Sequence, residues 1–517
     1  MAAMSTAFIF AYRALSVLRV LFVVLSLSLL PGLIENLVLP YSEDFGSLDN
    51  SRVNGQWARL HAQLESPRNF AGLDDEGRRR VLTACQLTAQ SLWSLDRAIA
   101  GEMHADQGRR KEIREMILNL AETVLKPSLH FAPEVTATRF PAGGYSAYYG
   151  PVNVVLVVHR LLTGNSRWDR EIEGISTYLW RESLRWPSGL IPPLAPAAQA
   201  AAFIADQAVV LFAMSLVQDL KRAPSPPAEP RWSPAPKPVA KNPRPKKKAK
   251  TEPIPGQVGA TPVVPSLPEN PRRPWRLPEG AVTPLHAFAQ ALAQNPVSRR
   301  SGLYPAGLNH EHADLPRGSS TAYALIHLAR PMPEGAEAMY TNFRSQMFRR
   351  AAVGGGFREW PVGLERGRDA DSGLIFWDIG MASSVYGLAS ARRFGDVDSY
   401  DAILRFTNWI GGYWEFGQGR RYLLIDLPLA LMKGLRPGSR GSYEALQFLA
   451  DARLFRAFTL VPEVRRGGED GRYRDRRWPW TEAILLILGV TGCFTATQAR
   501  RRIDDWLNRR EHRAPSL

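Results

Sequence analysis

The sequence predicts an all-α fold built from helical hairpins, and three observations support this. Apolar residues recur every three to four positions along most of the chain, the spacing of a helix with one buried face. Runs of strictly alternating apolar and polar residues, typical of strands, are almost absent. Glycine and proline are concentrated between the periodic segments, as expected of short connections between neighbouring helices.

The composition is that of a folded protein with a large core. The chain has 517 residues, of which 45% are hydrophobic and 22% charged. Cys85 and Cys493 are its only cysteines, so a framework of several disulfides is excluded and we expect two buried thiols.

The net charge of +16 suggests a nucleic-acid-binding protein, but the distribution of the charge argues against one. Between Lys221 and Arg276 there are 13 Lys and Arg residues against 3 Glu, a surplus of 10. Only 6 of the 16 net charges therefore belong to the rest of the chain. No specific nucleic-acid partner is expected.

The basic stretch belongs to a proline-rich segment that we predict to be a disordered insertion over residues 223–278. Between Ala223 and Trp275 it holds 16 of the 40 prolines, a density that disfavours helix and favours extended chain. The insertion separates two helical parts, residues 40–222 and 279–517. It is interpreted either as a solvated spacer or as a contact to anionic lipid or polysaccharide.

An apolar run near the N-terminus predicts a transmembrane signal-anchor over residues 15–39. Its centre, Val20 to Ile34, carries no charge and reaches the length of a membrane span with its flanks. Basic residues precede the run and acidic residues follow it, which places residues 1–14 in the cytoplasm and the bulk outside. A cleaved signal peptide and a buried core helix are the alternatives.

Five helices are predicted before the insertion and nine after it. The apolar run Ala197–Leu220 is interpreted as a buried helix, because Asp206 and Gln207 in its middle are costly in lipid. The predicted helices are Asp74–Ala100, Gly108–Leu125, Val152–Leu162, Trp168–Leu184, Ala197–Leu220, Pro284–Ala293, Thr321–Leu328, Gly335–Arg350, Asp378–Phe394, Ser399–Ile410, Tyr422–Met432, Tyr443–Phe458, Thr481–Leu488 and Thr497–Arg509.

The stretch from Gly302 to Asp378 holds the densest group of candidate site residues, beginning with an acidic loop around Trp360. Two carboxylates on opposite sides of a bond suffice for acid–base cleavage of a glycoside, and an aromatic ring suits the face of a sugar. Glu359 and Asp371 are the leading acid and base, with Asp369 as a third candidate. The alternative is a structural loop in which the acids pair with the arginines Arg358, Arg366 and Arg368.

A second candidate group precedes the acidic loop. His310, His312 and Asp314 face the same way if the chain is extended, and Arg317 next to a glycine suits a carboxylate or phosphate. We predict substrate contact for these four residues. Zinc binding and a plain structural role are the alternatives, and no metal or other cofactor is expected at this site or at the acidic loop, which lacks the further oxygen ligands of a calcium loop.

A third candidate is the glycine-rich turn that carries Tyr145 and Tyr149. Tyrosines on such a turn suit sugar stacking or proton donation, and the alternative is the start of a helix with packed tyrosines. The sequence contains no nucleophile elbow, phosphate loop, dinucleotide fingerprint or Cys-x-x-Cys pair.

The loops Ala313–Gly318, Gly356–Pro361 and Asp369–Gly373 resemble loops of bacterial membrane-anchored proteins related to α/α toroids. In such toroids inner and outer helices alternate around a ring. The resemblance covers about the C-terminal third of the chain. It implies a single-pass protein of the inner membrane with its bulk in the periplasm, acting on glycans or, as in linalool dehydratase-isomerase relatives, on terpenoids. The cysteine pattern of the dehydratases cannot be mapped, because neither cysteine lies in these loops.

Three functions follow as hypotheses. The first is an extracytoplasmic toroid protein that binds a glycan or acts on it by carboxylate acid–base chemistry. The second is a non-catalytic, membrane-tethered component of a cell-envelope assembly. The third is a terpenoid-active toroid enzyme.

Overall fold

A computed structural model describes the helical body of the chain. The residues described are 48, 51–65, 70, 72–100, 107–141, 143–186, 189–194, 202–222, 288–289, 303–308, 315–363, 375–411, 413–416, 419–422, 440–460, 498 and 501. Contacts divide the chain into one unit formed by Met1–Leu220 with Val282–Leu517 and a second unit, Lys221–Ala281. The predicted anchor and the predicted insertion lie outside the described residues.

Helices dominate the described residues, which confirms the all-α prediction at this level. None of the described helices is both long and apolar enough to cross a membrane. The helices are α1 Ser51–Glu65, α2 Asp75–Ala100, α3 Gln107–Val124, α4 Ser146–Thr163, α5 Asp169–Arg185, α6 Ile204–Arg222, α7 Gly318–Leu328, α8 Pro333–Met347, α9 Met381–Arg393, α10 Val397–Gly411 and α11 Arg440–Thr459, with a 3-10 turn at Pro127–Leu129.

Short strands form four antiparallel two-stranded pairs in which β1 pairs with β2, β3 with β4, β5 with β6 and β7 with β8. These strands are too short for sequence alternation to reveal them, and three of them lie where helix was predicted. The strands are β1 Ala202–Phe203, β2 Gly307–Leu308, β3 Phe348–Arg350, β4 Gly355–Phe357, β5 Ile375–Phe376, β6 Ile379–Gly380, β7 Tyr413–Phe416 and β8 Gly419–Tyr422.

Helix burial differs sharply between neighbours along the chain. In α4, 15 of 18 residues are buried, and in α7, 10 of 11. In α3 only 6 of 18 residues are buried, and in α8 only 5 of 15. From α2 to α6, and again from α7 to α9, heavily buried helices therefore alternate with helices that bury a single face. The former include α2, α4, α6, α7 and α9; the latter include α3, α5 and α8.

The heavily buried helices contact one another in sequence. Helix α2 packs on α4 and α11, α7 packs on α9, and α9 packs on α11. Helix α4 approaches α6 where a Cβ added at Gly150 would lie 3.3 Å from Val209. Helix α6 approaches α7 through an edge-to-face contact of Phe212 with His327, whose ring centroids are 5.5 Å apart. The contacts thus run from α2 through α4, α6, α7, α9 and α11 back to α2.

Side-chain contacts give the direction of these helices. Arg79 in the first turns of α2 pairs with Asp206 at the start of α6, 3.2 Å away. Arg392 near the end of α9 donates to the carbonyl of Phe458 near the end of α11. The first pair joins the N-terminal ends of α2 and α6, and the second joins the C-terminal ends of α9 and α11. The two helices of each pair therefore begin at the same end.

A closed circuit of hydrogen bonds joins α2 to α7 in the core. The Tyr323 hydroxyl donates to Gln86 Oε1 at 2.6 Å, and Gln86 Nε2 donates to His327 Nε2 at 2.7 Å. Since a carbonyl only accepts, His327 Nδ1 carries the proton and donates to the Tyr323 carbonyl at 2.7 Å. All three residues are buried, and the circuit requires a neutral imidazole.

This circuit predicts a loss of stability on mild acidification. Burial lowers the pKa of His327 from 6.5 to about 3, and burial lowers that of His159 to about 4. As pH falls below 6.5, only the unfolded chain takes up these protons, so the contribution present above 6.5 is lost towards pH 4. Each histidine should reduce the free energy of unfolding by about 1.4 kcal/mol per pH unit.

Denaturant unfolding at a series of pH values measures this slope. His327→Gln should make the slope shallower, because the folded and unfolded states then no longer differ in protonation at this position. A slope equal to that of the wild type in His327→Gln would show that His327 does not titrate as described.

Candidate functional site

The segments that enter the heavily buried helices meet at one end of the molecule. Ile204 at the start of α6 donates its N–H to Ala306, 3.1 Å away, and the N–H of Ala306 reaches the carbonyl of Leu315, just before α7. Gln207 and Ser146, at the starts of α6 and α4, both bind the backbone of Ile191. Loops that precede these helices are therefore brought together, as in a ligand-binding surface built on a rigid body.

Glu359 is the centre of the polar contacts at this end. Its side chain is fully buried, and Oε1 lies 3.1 Å from both Nε and Nη2 of Arg317. The Ser319 hydroxyl donates to Oε1 at 2.7 Å, and the Ser319 N–H reaches Oε2 at 3.3 Å. Every one of these partners donates, so the carboxylate acts as an acceptor here and caps the N-terminus of α7.

Gly318 allows this cap to form. Its N–H donates to the Glu359 carbonyl at 2.9 Å. A Cβ at position 318 would overlap the carbonyl oxygen of Arg358 and lie 2.8 Å from Cβ of Ser383. Helix α7 can begin against this strand segment only without a side chain at its first position.

Trp360 adds a buried aromatic ring to the cluster. The guanidinium of Arg317 lies over its ring, 5.5 Å from the centroid. The side chain is more than nine-tenths buried, and its Nε1–H has no hydrogen-bond partner among the described residues. A buried donor without an acceptor costs about 1–3 kcal/mol, so this N–H is suited to a ligand oxygen.

A hairpin beside this cluster carries a second group of charges. In β5–β6 the turn residues are Trp377 and Asp378, and Asp378 Oδ2 pairs with Arg349 and, at 3.5 Å, with Arg358. The next residue, Ile379, bridges to Arg358. The hairpin is thereby attached to the strand segment that carries Glu359.

The structure brings together three of the residues singled out from the sequence, Arg317, Glu359 and Trp360. The other candidates of the same stretch lie outside the described residues; they are His310, His312, Asp314, Asp369 and Asp371. Among the described residues, no group of three His, Cys, Asp or Glu side chains is placed to hold a metal ion.

Two ion pairs join the acidic loop to other parts of the chain. Arg358 pairs with Asp378, and Glu359 pairs with Arg317. The remaining arginines and acids of the loop lie outside the described residues, so the alternative of a salt-bridged loop stays a prediction. The helix predicted from Asp378 begins at Met381, because the β5–β6 hairpin precedes it.

The two tyrosine candidates are packed at the start of α4. Tyr149 is fully buried, and its hydroxyl donates to the Arg139 carbonyl at 2.7 Å. Tyr145 is mostly buried in the left-handed conformation with φ 63°. Burial raises the pKa of both hydroxyls, so both are neutral donors at physiological pH.

Ser319 and Asp378 are members of the site that sequence reasoning missed. Ser319 is one of two adjacent serines at the start of an apolar helix, and nothing in the sequence relates it to Glu359, 40 positions away. Asp378 was placed at the start of a predicted helix, since a two-residue turn between two-residue strands leaves no periodic signal.

Comparisons with known proteins add no relative: no family model matches the chain, and no curated protein matches it.

Proposed function

We propose that the chain is an α/α-toroid protein that binds, or acts on, a glycan at the end where Arg317, Glu359 and Trp360 meet. The buried, unpartnered Nε1–H of Trp360 carries this proposal. Sugar hydroxyls and ring oxygens are acceptors for such a donor.

The toroid part of the proposal is supported by the order of helix contacts. The six helices α2, α4, α6, α7, α9 and α11 contact one another in succession and return to the first. In the sequence, the less buried helix α3 lies between α2 and α4, α5 lies between α4 and α6, and α8 lies between α7 and α9. An inner ring with an outer layer accounts for both observations.

The contacts of Glu359 divide the chemical roles within the proposal. Since Arg317 and Ser319 already donate to its carboxylate, Glu359 fits a positioning role better than proton donation. Acid and base duties would then fall to Asp369 and Asp371, with His310, His312 and Asp314 in contact with the glycan. No cofactor is included in the proposed chemistry.

The same proposal includes the location of the protein. Residues 15–39 would anchor it in the inner membrane of a bacterium, with the helical body in the periplasm, where envelope glycans occur. The support is the charge asymmetry around the apolar run. The basic insertion would contact anionic lipid or polysaccharide.

The substitution Trp360→Phe tests the role of the Trp360 Nε1–H as a donor, because it removes this N–H and retains most of the aromatic ring. We expect the dissociation constant for glycan to rise about 5- to 30-fold, the effect of one lost hydrogen bond to a ligand. The melting temperature should stay the same or rise slightly, since an unsatisfied buried donor disappears. Both are measured on the full-length chain in detergent, against an array of bacterial polysaccharides followed by calorimetry.

Trp168→Phe is the matched control. Trp168 is equally buried but packs on His159 at the far end of α4, so its replacement should leave glycan binding unchanged. Failure of the wild-type chain to bind any polysaccharide would refute the proposed function. Equal binding by Trp360→Phe and wild type would remove Trp360 from the site.

A further inference from the structure

The β5–β6 hairpin presents the most exposed large apolar side chain among the described residues. Trp377 is 60% exposed, at the first turn position of the hairpin. Burial of an aromatic ring stabilises the folded state, and a ring exposed to water does not contribute this free energy. Single exposed rings are common on protein surfaces, so the backbone and the packing of Trp377 decide whether it marks a contact surface.

The backbone at this turn adds a second cost. Trp377 and Asp378 both have left-handed conformations, with φ of 47° and 62°. Two-residue hairpin turns of this kind favour Asn, Asp and Gly, so Trp377 costs about 1–2 kcal/mol at its position. The turn thus retains an unfavourable residue at an exposed position, although glycine would satisfy the fold.

The indole is held in one orientation by an aromatic stack. Trp377 lies parallel to Trp409, with an angle of 11° and 5.4 Å between ring centroids. Trp409 in turn contacts the fully buried Phe406, with 6.4 Å between the two ring centroids. The ion pairs of Asp378 with Arg349 and Arg358 fix the other side of the turn. The ring plane is therefore set before any ligand arrives, which reduces the entropy lost on binding.

We propose that Trp377 is a sugar-stacking platform, a glycan subsite separate from the Trp360 donor. One face of its indole is covered by Trp409. The ring is 60% exposed, and the side chains of the neighbouring Asp378 and of its partner Arg349 are 51% and 37% exposed. A pyranose ring has the matching chemistry, an apolar face of C–H groups surrounded by hydroxyls that bond to carboxylate and guanidinium groups.

Other ligands fit the platform less well. A nucleic-acid base would also stack, but sites for single-stranded nucleic acid combine several stacking rings with a basic groove, and this turn exposes one ring. A protein partner requires an apolar area much larger than one ring to form a stable interface.

The platform is close to the Glu359 cluster. Strand β6 leads from the turn directly into α9, and a Cβ at Gly380 would lie 3.2 Å from that of Glu359. A single short segment thus connects Trp377 to the site of the proposed function, on which this inference rests. A glycan of several residues can contact both places at once, whereas a monosaccharide can occupy only one.

Binding of a length series tests the platform on the full-length chain. The probes are glucose, mannose, galactose and N-acetylglucosamine, each from the monosaccharide to the hexasaccharide. Trp377→Ala should weaken binding of the longest oligosaccharides by about tenfold or more, the effect of losing an aromatic anchor. It should leave the shortest sugar held by the Trp360 subsite unaffected. Trp377→Phe should restore much of the lost affinity, and Leu184→Ala, at another exposed apolar residue, should have no effect.

The outcomes separate the two proposals. A length-dependent loss in Trp377→Ala supports the platform, whatever Trp360→Phe does. If Trp360→Phe weakens binding and Trp377→Ala binds all lengths like the wild type, the platform is refuted and the proposed function survives. If no oligosaccharide of any length binds the wild-type chain, both are refuted.

Discussion

Replacing Arg317 with leucine should lower the free energy of unfolding of the chain by about 3–5 kcal/mol, because the buried carboxylate of Glu359 would lose its counter-charge. The Glu359 side chain is completely buried and that of Arg317 is 16% exposed, so water cannot readily replace the guanidinium. Glycan binding should fall as well, since Arg317 also lies over Trp360. Denaturant unfolding measures the first effect and calorimetry the second.

A double-mutant cycle distinguishes loss of the ion pair from loss of packing. Glu359→Gln in the Arg317→Leu background removes the buried charge, so it should restore part of the stability that Arg317→Leu alone loses. Lys111→Leu is the control: its pair with Glu115 is largely exposed and should change stability by less than about 1 kcal/mol. Additive effects of the two site substitutions would mean that the pair has no net coupling.

Gly318→Ala should destabilise the fold by about 3 kcal/mol or more, although it adds a single methyl group. The new Cβ would overlap the backbone of Arg358, which cannot move without disturbing the Glu359 cap. We therefore expect thermal unfolding at a lower temperature together with weaker glycan binding.

Gly335→Ala is the matched substitution within a helix. At this position the nearest atoms are those of the flexible Met332 side chain, at 3.4 Å or more. Alanine should therefore raise the free energy of unfolding by roughly 0.5–1 kcal/mol, because it lowers the backbone entropy lost on folding. Equal effects of the two substitutions would show that helix propensity, and not the close approach at Gly318, governs stability here.

Periodicity predicted most of the described helices, since a helix that buries an apolar stripe shows it in the sequence. Helix α1 was missed because part of its buried surface is polar: Arg52, Gln56 and Arg59 are all buried there. Its contacts with α11 include an ion pair of Arg59 with Asp451 at 3.1 Å. A polar buried face is balanced by partners from distant parts of the chain, and no local pattern reveals them.

The candidate site was predictable residue by residue but not as an arrangement. Arg317, Glu359 and Trp360 were each singled out by their chemistry and their loop context. The pairing of Arg317 with Glu359 was not predicted, because 42 positions separate them and Arg358 is the nearer cation in the sequence. Charged neighbours in a sequence compete for partners, and the fold selects among them by distance and burial.

The hydrogen-bond circuit of Gln86, Tyr323 and His327 makes the two ends of the chain interdependent. One member comes from the part before the predicted insertion and two come from the part after it. Neither part can satisfy these buried groups alone, so neither is a self-sufficient folding unit. During synthesis, the Gln86 side chain on α2 therefore cannot form these hydrogen bonds until more than two hundred further residues have emerged. The predicted insertion, residues 223–278, supplies 56 of these residues and so lengthens that interval.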